Sequence, residues 1–138
     1  MIKTILIGYD ETEPSRRALE RAARLAKAFE AKLVVTSVAP VTVPASGRSI
    51  GTDPVETAAD HRAELHEAHT YLETQGLTAD YIEAVGHEAE SILDAARERS
   101  ADMIVVGSRE VGAIHRLLGQ SVSDAVAHGA RCDVLIVH

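Results

Sequence analysis

Residues 107–122, GSREVGAIHRLLGQSV, concentrate the groups that could do chemistry: three glycines, two serines and two arginines between an apolar run and the start of a helical pattern. Glycine lets backbone amides come close to a ligand, and a helix N-terminus adds partial positive charge. Together these features describe an anion site suited to phosphate. A plainer reading, in which Gly107 and Gly119 are only turn residues, stands beside it, because glycine after a strand is common. A Walker A loop is excluded, since the segment has no lysine. The first strand-to-helix turn, GYDETEPS, also lacks the G-x-G-x-x-G dinucleotide fingerprint.

Other reactive side chains carry less. His61, His66 and His69 fall in one helical pattern, with His66 and His69 at i and i+3 on one face. A zinc site needs three or four converging ligands and HExxH is absent, so a solvated helix surface is the better reading. His115, beside Arg116, lies inside the glycine-rich segment and is the histidine best placed to act. Cys132, just before the last strand, reads as a buried and inert thiol. No Ser–His–Asp order or carboxylate pair has catalytic spacing. No catalytic residue is assigned, and any hydrolytic turnover is expected to be slow or absent.

The elements that must position this segment follow from hydrophobic periodicity. Ile2–Ile7 is a nearly continuous apolar run closed by Gly8, the signature of a strand buried on both faces. From Ser15 to Phe29 the period becomes helical, with Ala18, Leu19, Ala22, Leu25, Ala26 and Phe29 inward, Thr12 as N-cap and Pro14 in the first turn. Lys32–Val38 is a second buried strand. Residues 40–54 hold three of the four prolines and read as a long loop. Glu56–Gln75 is helical, with Leu65, Ala68 and Leu72 inward and Gly76 as its stop. Leu77–Val85 is a weaker strand, Gly86 opens a helix over Ala89–Arg99 whose inner face is Ile92, Ala95 and Ala96, and Asp102–Val106 is the fourth strand. A last helix spans Ser121–His128 and a fifth strand Val134–Val137.

That alternation predicts a doubly wound parallel sheet covered on both faces. Ligands of such sheets bind outside the carboxyl ends of the strands, at the switch point. Three segments are thereby selected: Gly8–Tyr9–Asp10, Val38 onward and Gly107 onward.

Composition sets the outer bounds. A chain of 138 residues fits one domain and buries roughly 70% of its unfolded surface. With no Trp and one Phe, its core must be aliphatic. A net charge of −7 argues against a nucleic-acid or anionic-membrane partner, both of which need a basic footprint. One cysteine forms no internal disulfide and fits a reducing compartment. No signal peptide or apolar span is evident, so a cytoplasmic location is expected.

Three stretches together, ILIGYDETEPSRRALERA, VGHEAESILDAA and DMIVVGSREVGAIHRLLGQSVSDAVAHGARCDVLIVH, resemble the universal stress protein family. The likeness covers the chain apart from the 40–54 loop and the second helix. It implies a single α/β domain over residues 1–138: a doubly wound five-stranded parallel sheet with four helices, Rossmann-like and adenine nucleotide alpha hydrolase-like. It also implies a homodimer, here through the last strand, and a regulatory stress-response role exercised by binding an adenine nucleotide. ATP, with Mg2+ as its companion ion, leads, and cAMP is a related candidate.

Residue by residue, the resemblance puts Asp10 by the ribose, where a carboxylate can accept from two hydroxyls. A helix-start cap is the competing role for Asp10. Gly8 and Tyr9 fall on the adenine side and Val38 where backbone meets the base. Val106, Gly107, Ser108, Arg109, Gly119, Gln120, Ser121 and Val122 fall along the phosphate loop. ATP-binding members follow G-x2-G-x9-G-[ST] in that loop. Gly107 matches the first glycine, but the second position falls on Glu110. Without gaps the third falls on Gln120 and the hydroxyl on Ser121; a shifted alignment brings Gly119 into register instead. A carboxylate near phosphate is repulsive unless it turns outward, although Arg109 and Arg116 offset it. A dimeric stress or interaction protein that binds no nucleotide is therefore the alternative.

Overall fold

The computed structural model describes residues 1–39, 54–108 and 121–138, with the side chains of 54–61 excepted. Five strands, β1 (Thr4–Gly8), β2 (Lys32–Ala39), β3 (Ala79–Val85), β4 (Met103–Gly107) and β5 (Asp133–Val137), form one parallel sheet in the order β3-β2-β1-β4-β5. Among the described residues there are four helices: α1 (Glu13–Phe29), α2 (Pro54–Thr74), α3 (Glu88–Glu98) and α4 (Val122–Gly129). The doubly wound parallel sheet anticipated from the periodicity is the observed fold.

Continuous apolar strands demand cover on both faces. Ile5, Leu6 and Ile7 have no exposed surface, and their alternation sends them to opposite sides. Ile5 and Ile7 join Leu33, Val35 and Val105 beneath α1 and α2. Leu6 joins Val34, Ile104 and Val106 beneath α3 and α4. Removing each such side chain from water contributes about 1.5–3 kcal/mol. The absence of aromatic bulk is met by small residues: Ala18, Ala22, Ala23 and Ala26 of α1 are all buried against the sheet.

Local signals account for most element ends. Thr12 caps α1, its side chain accepting from Ser15 N at 3.4 Å, with a proline in the first turn. Gly76, at φ 70°, ends the turn after α2. Leu65, Ala68 and Leu72, and likewise Ile92, Ala95 and Ala96, are buried as their spacing implied. Three details differ from expectation. Strand β1 begins at Thr4 rather than Ile2, because the Asp102 carboxylate takes the amides of Lys3 and Thr4 at 2.8 and 3.0 Å. Phe29, assigned to the inner face of α1, is 43% exposed at its last turn, where the helix runs past the sheet. Cys132 is only half-buried. Of the loop expected over residues 40–54, residues 40–53 lie outside the described residues and Pro54 already begins α2.

Candidate functional site

The chain leaves β1 outward through β2 and β3, then returns to lay β4 on the other side of β1. The helices that follow β1 and β4 lie on opposite faces of the sheet, so the carboxyl ends of these two strands flank the crevice where such sheets take ligands. Gly8, Asp10, Thr12, Ser15, Glu88, Ile92, Val106, Gly107 and Val122 line a space of about 20 Å³ there.

Asp10 is held before any ligand arrives. Its backbone N–H donates to Ser15 Oγ at 3.0 Å, and its Oδ1 accepts from Thr12 N at 3.2 Å and Thr12 Oγ1 at 2.6 Å. Glu11, between them, sits at φ 63°, a left-handed conformation uncommon for glutamate. That turn folds the carboxylate back over the start of α1. Thr12 supplies the cap, and Asp10 braces it.

Two glycines bring the walls together. A Cβ on Gly107 would lie 2.5–2.7 Å from backbone atoms of Pro14 and Ser15, so β4 ends in direct backbone contact with α1. A Cβ on Gly8 would meet Ile92 Cδ1 at 2.8 Å and Val106 Cγ1 at 3.4 Å. On the far wall Ser121 caps α4, its hydroxyl accepting from Asp124 N at 3.2 Å. The N-terminal turn of α4, with its helix dipole, favours an anion.

The predicted residues divide accordingly. Gly8, Asp10, Val106, Gly107 and Val122 come together around the crevice. Ser121 adjoins Val122 as the cap. Ser108 continues from Gly107, its amide donating to Val137 O at 2.7 Å. Val38, one residue before the end of β2, packs on the face of the second core. Tyr9 is placed differently. Strand alternation carries its ring to the opposite face, among Ile5, Ile7 and Leu33, while its backbone amide donates to Thr36 O at 2.9 Å. Arg109, Gly119 and Gln120, with Glu110, His115 and Arg116, lie outside the described residues. Thr12, Ser15, Glu88 and Ile92 were missed as lining residues. Thr12 and Ser15 read in the sequence as the start of a helix, and Glu88 and Ile92 reach the crevice from a distant helix.

Tyr9 anchors a polar cluster behind the site. Its hydroxyl donates to Glu67 Oε1, which also accepts from Arg16 Nε at 2.9 Å, while Arg16 Nη1 reaches Glu13 at 3.1 Å. Hydrogen bonds from Arg16 and then Tyr9 hold the Glu67 carboxyl below its usual range. Burial, then the bond to Glu67, push the Tyr9 phenol up. The cluster ties α2 to α1 and to the residue preceding Asp10.

A larger space of about 160 Å³ lies at the opposite end of the sheet, among Leu93, Ala96, Ile104, Ala130 and Cys132. It adjoins the amino ends of β4 and β5 and the C-terminal ends of α3 and α4, away from the carboxyl strand ends where such sheets take ligands, so the smaller crevice is the functional candidate. Burial, then Asp133 and Asp102, raise the Cys132 thiol. On α2, His69 Nε2 stands 3.3 Å from Glu73, and the His66 and His69 rings are 6.5 Å apart. Among the described residues no group of three or more His, Cys, Asp or Glu side chains gathers to hold a metal. No helix among them is long and apolar enough to cross a membrane.

Fold and crevice define a doubly wound α/β protein with its pocket at the β1/β4 switch point. The chain belongs to the universal stress protein family, whose model matches residues 1–138. It is 34% identical over 137 residues to a universal stress protein of Thermus aquaticus, covering 99% of each chain. It is 32% identical over 138 residues to one of Synechocystis, covering 99% of this chain and 86% of that one. A universal stress protein solved in complex with cAMP is 30% identical and superposes with a TM-score of 0.79, covering 99% of this chain and 97% of the other.

Proposed function

We propose that this protein binds an adenine nucleotide, foremost ATP, in the crevice between β1 and β4, and works as a regulatory stress-response module. The observation that carries this reading is the braced Asp10 carboxylate at the carboxyl end of β1, facing Gly107 and the capped N-terminus of α4. A fixed carboxylate suits ribose hydroxyls, and helix amides suit phosphate. The cAMP complex of a 30% identical relative supports the same ligand class. Gly8 and Val38 border the base, Asp10 the ribose, and Val106, Gly107, Ser108, Arg109, Gly119, Gln120, Ser121 and Val122 the phosphates. Tyr9 contributes backbone alone. Mg2+ accompanies the triphosphate as counter-ion.

Calorimetry with ATP and Mg2+ tests the proposal. Saturable heat is expected, with stabilisation of about 2.7 kcal/mol at a hundredfold excess over Kd. Asp10→Ala and Ser121→Ala should weaken both. Absence of heat together with an unchanged melting temperature at millimolar ATP would sink it.

The homodimer rests on a separate observation. β5 is an edge strand whose Val134, Leu135 and Ile136 are only half-buried, and an apolar edge invites strand pairing. Light scattering should give twice the chain mass, and Ile136→Lys should give monomer. If native protein releases no adenine nucleotide and takes none up, a dimeric interaction scaffold becomes the better reading.

A further inference from the structure

Thr36 lies in the middle of the sheet with no exposed surface, and its Oγ1 has no hydrogen-bond partner. A buried hydroxyl left unpaired is costly, and valine, nearly the same shape, would avoid that cost. Orphaned buried polar atoms call for an explanation, and the position of this one supplies it.

Thr36 is paired in register with Gly8 on one side and Ile82 on the other. Alternation places Val34, Thr36 and Val38 on the sheet face that carries Leu6 and Val106, the face covered by α3. Gly8 faces the same way, since its missing Cβ would meet Ile92 and Val106. Thr36 is thus about 5 Å, one strand spacing, from the floor of the crevice. Ile92 covers that floor, its Cδ1 occupying the space Gly8 leaves open.

The space between these lining residues is about 20 Å³, room for roughly one water, so a base that reaches further in must displace a side chain. One wall is backbone against backbone, Gly107 on Pro14, and cannot yield without moving an element. Opposite it, Ile92 stands with Val106 over Gly8, and a rotamer change of Ile92 moves no backbone. The geometry points to Ile92 as a gate that opens a base-sized extension of the crevice, in which the Thr36 hydroxyl hydrogen-bonds the edge of the base. This inference rests on the nucleotide reading above and adds how the base is admitted and read. A hydroxyl both donates and accepts, so it can pair with a ring nitrogen or an exocyclic amine.

Two substitutions at Thr36 separate recognition from packing. Thr36→Val should raise the melting temperature of the ligand-free protein and weaken AMP and ATP alike by about tenfold. Thr36→Ser keeps the hydroxyl and loses a methyl, so it should lower the melting temperature and hold both affinities within about twofold. A packing role alone cannot produce both results. Ile92→Val removes the Cδ1 over Gly8 and should strengthen AMP binding. Equal affinities of Thr36→Val and parent for AMP and ATP would overturn the inference and leave the nucleotide reading standing. A parent protein that binds neither overturns both.

Discussion

Gly107 and Pro14 are in backbone contact: a methyl on Gly107 would stand 2.5 Å from the Pro14 carbonyl carbon. The end of β4 and the first turn of α1 are therefore a single rigid wall of the crevice. Gly107→Ala should force the two apart, destabilising the fold by about 1–3 kcal/mol and weakening ATP binding together. Chemical denaturation and calorimetry on the same variant read the two effects. The parent's stability in Gly107→Ala would show that the contact yields freely.

Ser121 serves the fold as well as the site, because its hydroxyl takes the Asp124 amide at the start of α4. Ser121→Ala should cost about 1 kcal/mol without ligand, and Ser121→Asp should recover most of that loss. Asp at this position puts a carboxylate where phosphate is proposed to sit. Its melting temperature should then stay near the parent's while its ATP affinity falls.

Tyr9 and Glu67 act at opposite ends of the pH range. Glu67 is held below its usual value by Arg16 and then Tyr9, so its contribution is present above pH 4.5 and is lost as pH falls through the lower native value. Tyr9 is raised, first by burial and then by Glu67. Its contribution is intact below pH 10.0 and lost as pH rises toward the native value. Urea denaturation of Tyr9→Phe should show reduced stability at neutral pH and a shallower alkaline decline. An alkaline limb identical to the parent's would exclude Tyr9 as its source.

Asp102 fastens the amino end of β1. The backbone bonds from Lys3 and Thr4 lower its carboxyl below the usual value, so its stabilisation is present above pH 3.8 and is lost below it. Asp102→Asn should melt earlier than the parent at pH 7, with the difference shrinking as pH falls below about 4. A constant difference across that range would show that the charge is not involved.

Cys132 borders the larger cavity with its thiol pushed up by burial, then by Asp133 and Asp102. Alkylation at pH 8 should be slower in the native protein than in urea, since the thiolate is the reactive form. Thiol titration over time checks this, and equal rates would contradict it.

The linear chain determined the fold because its signals are local or periodic. Unbroken runs such as ILI in β1 and IVV in β4 demand cover on both faces, and alternating them with amphipathic helices leaves few sheet topologies, a doubly wound sheet foremost. Thr12, Gly76 and the inner faces of α2 and α3 were legible for the same reason. Gly8, Asp10 and Gly107 were also legible, because strand ends are where such sheets bind. The tertiary structure alone decided what meets across the crevice. Ile92 and Glu88 arrive from a helix far along the chain, and Glu67 finds Tyr9 across the first core. The buried, unpaired Thr36 hydroxyl could not be read from KLVVTSVA, where threonine is simply a good strand former. Periodicity says which face a side chain takes, but its partners depend on how helices and strands distant in sequence pack together.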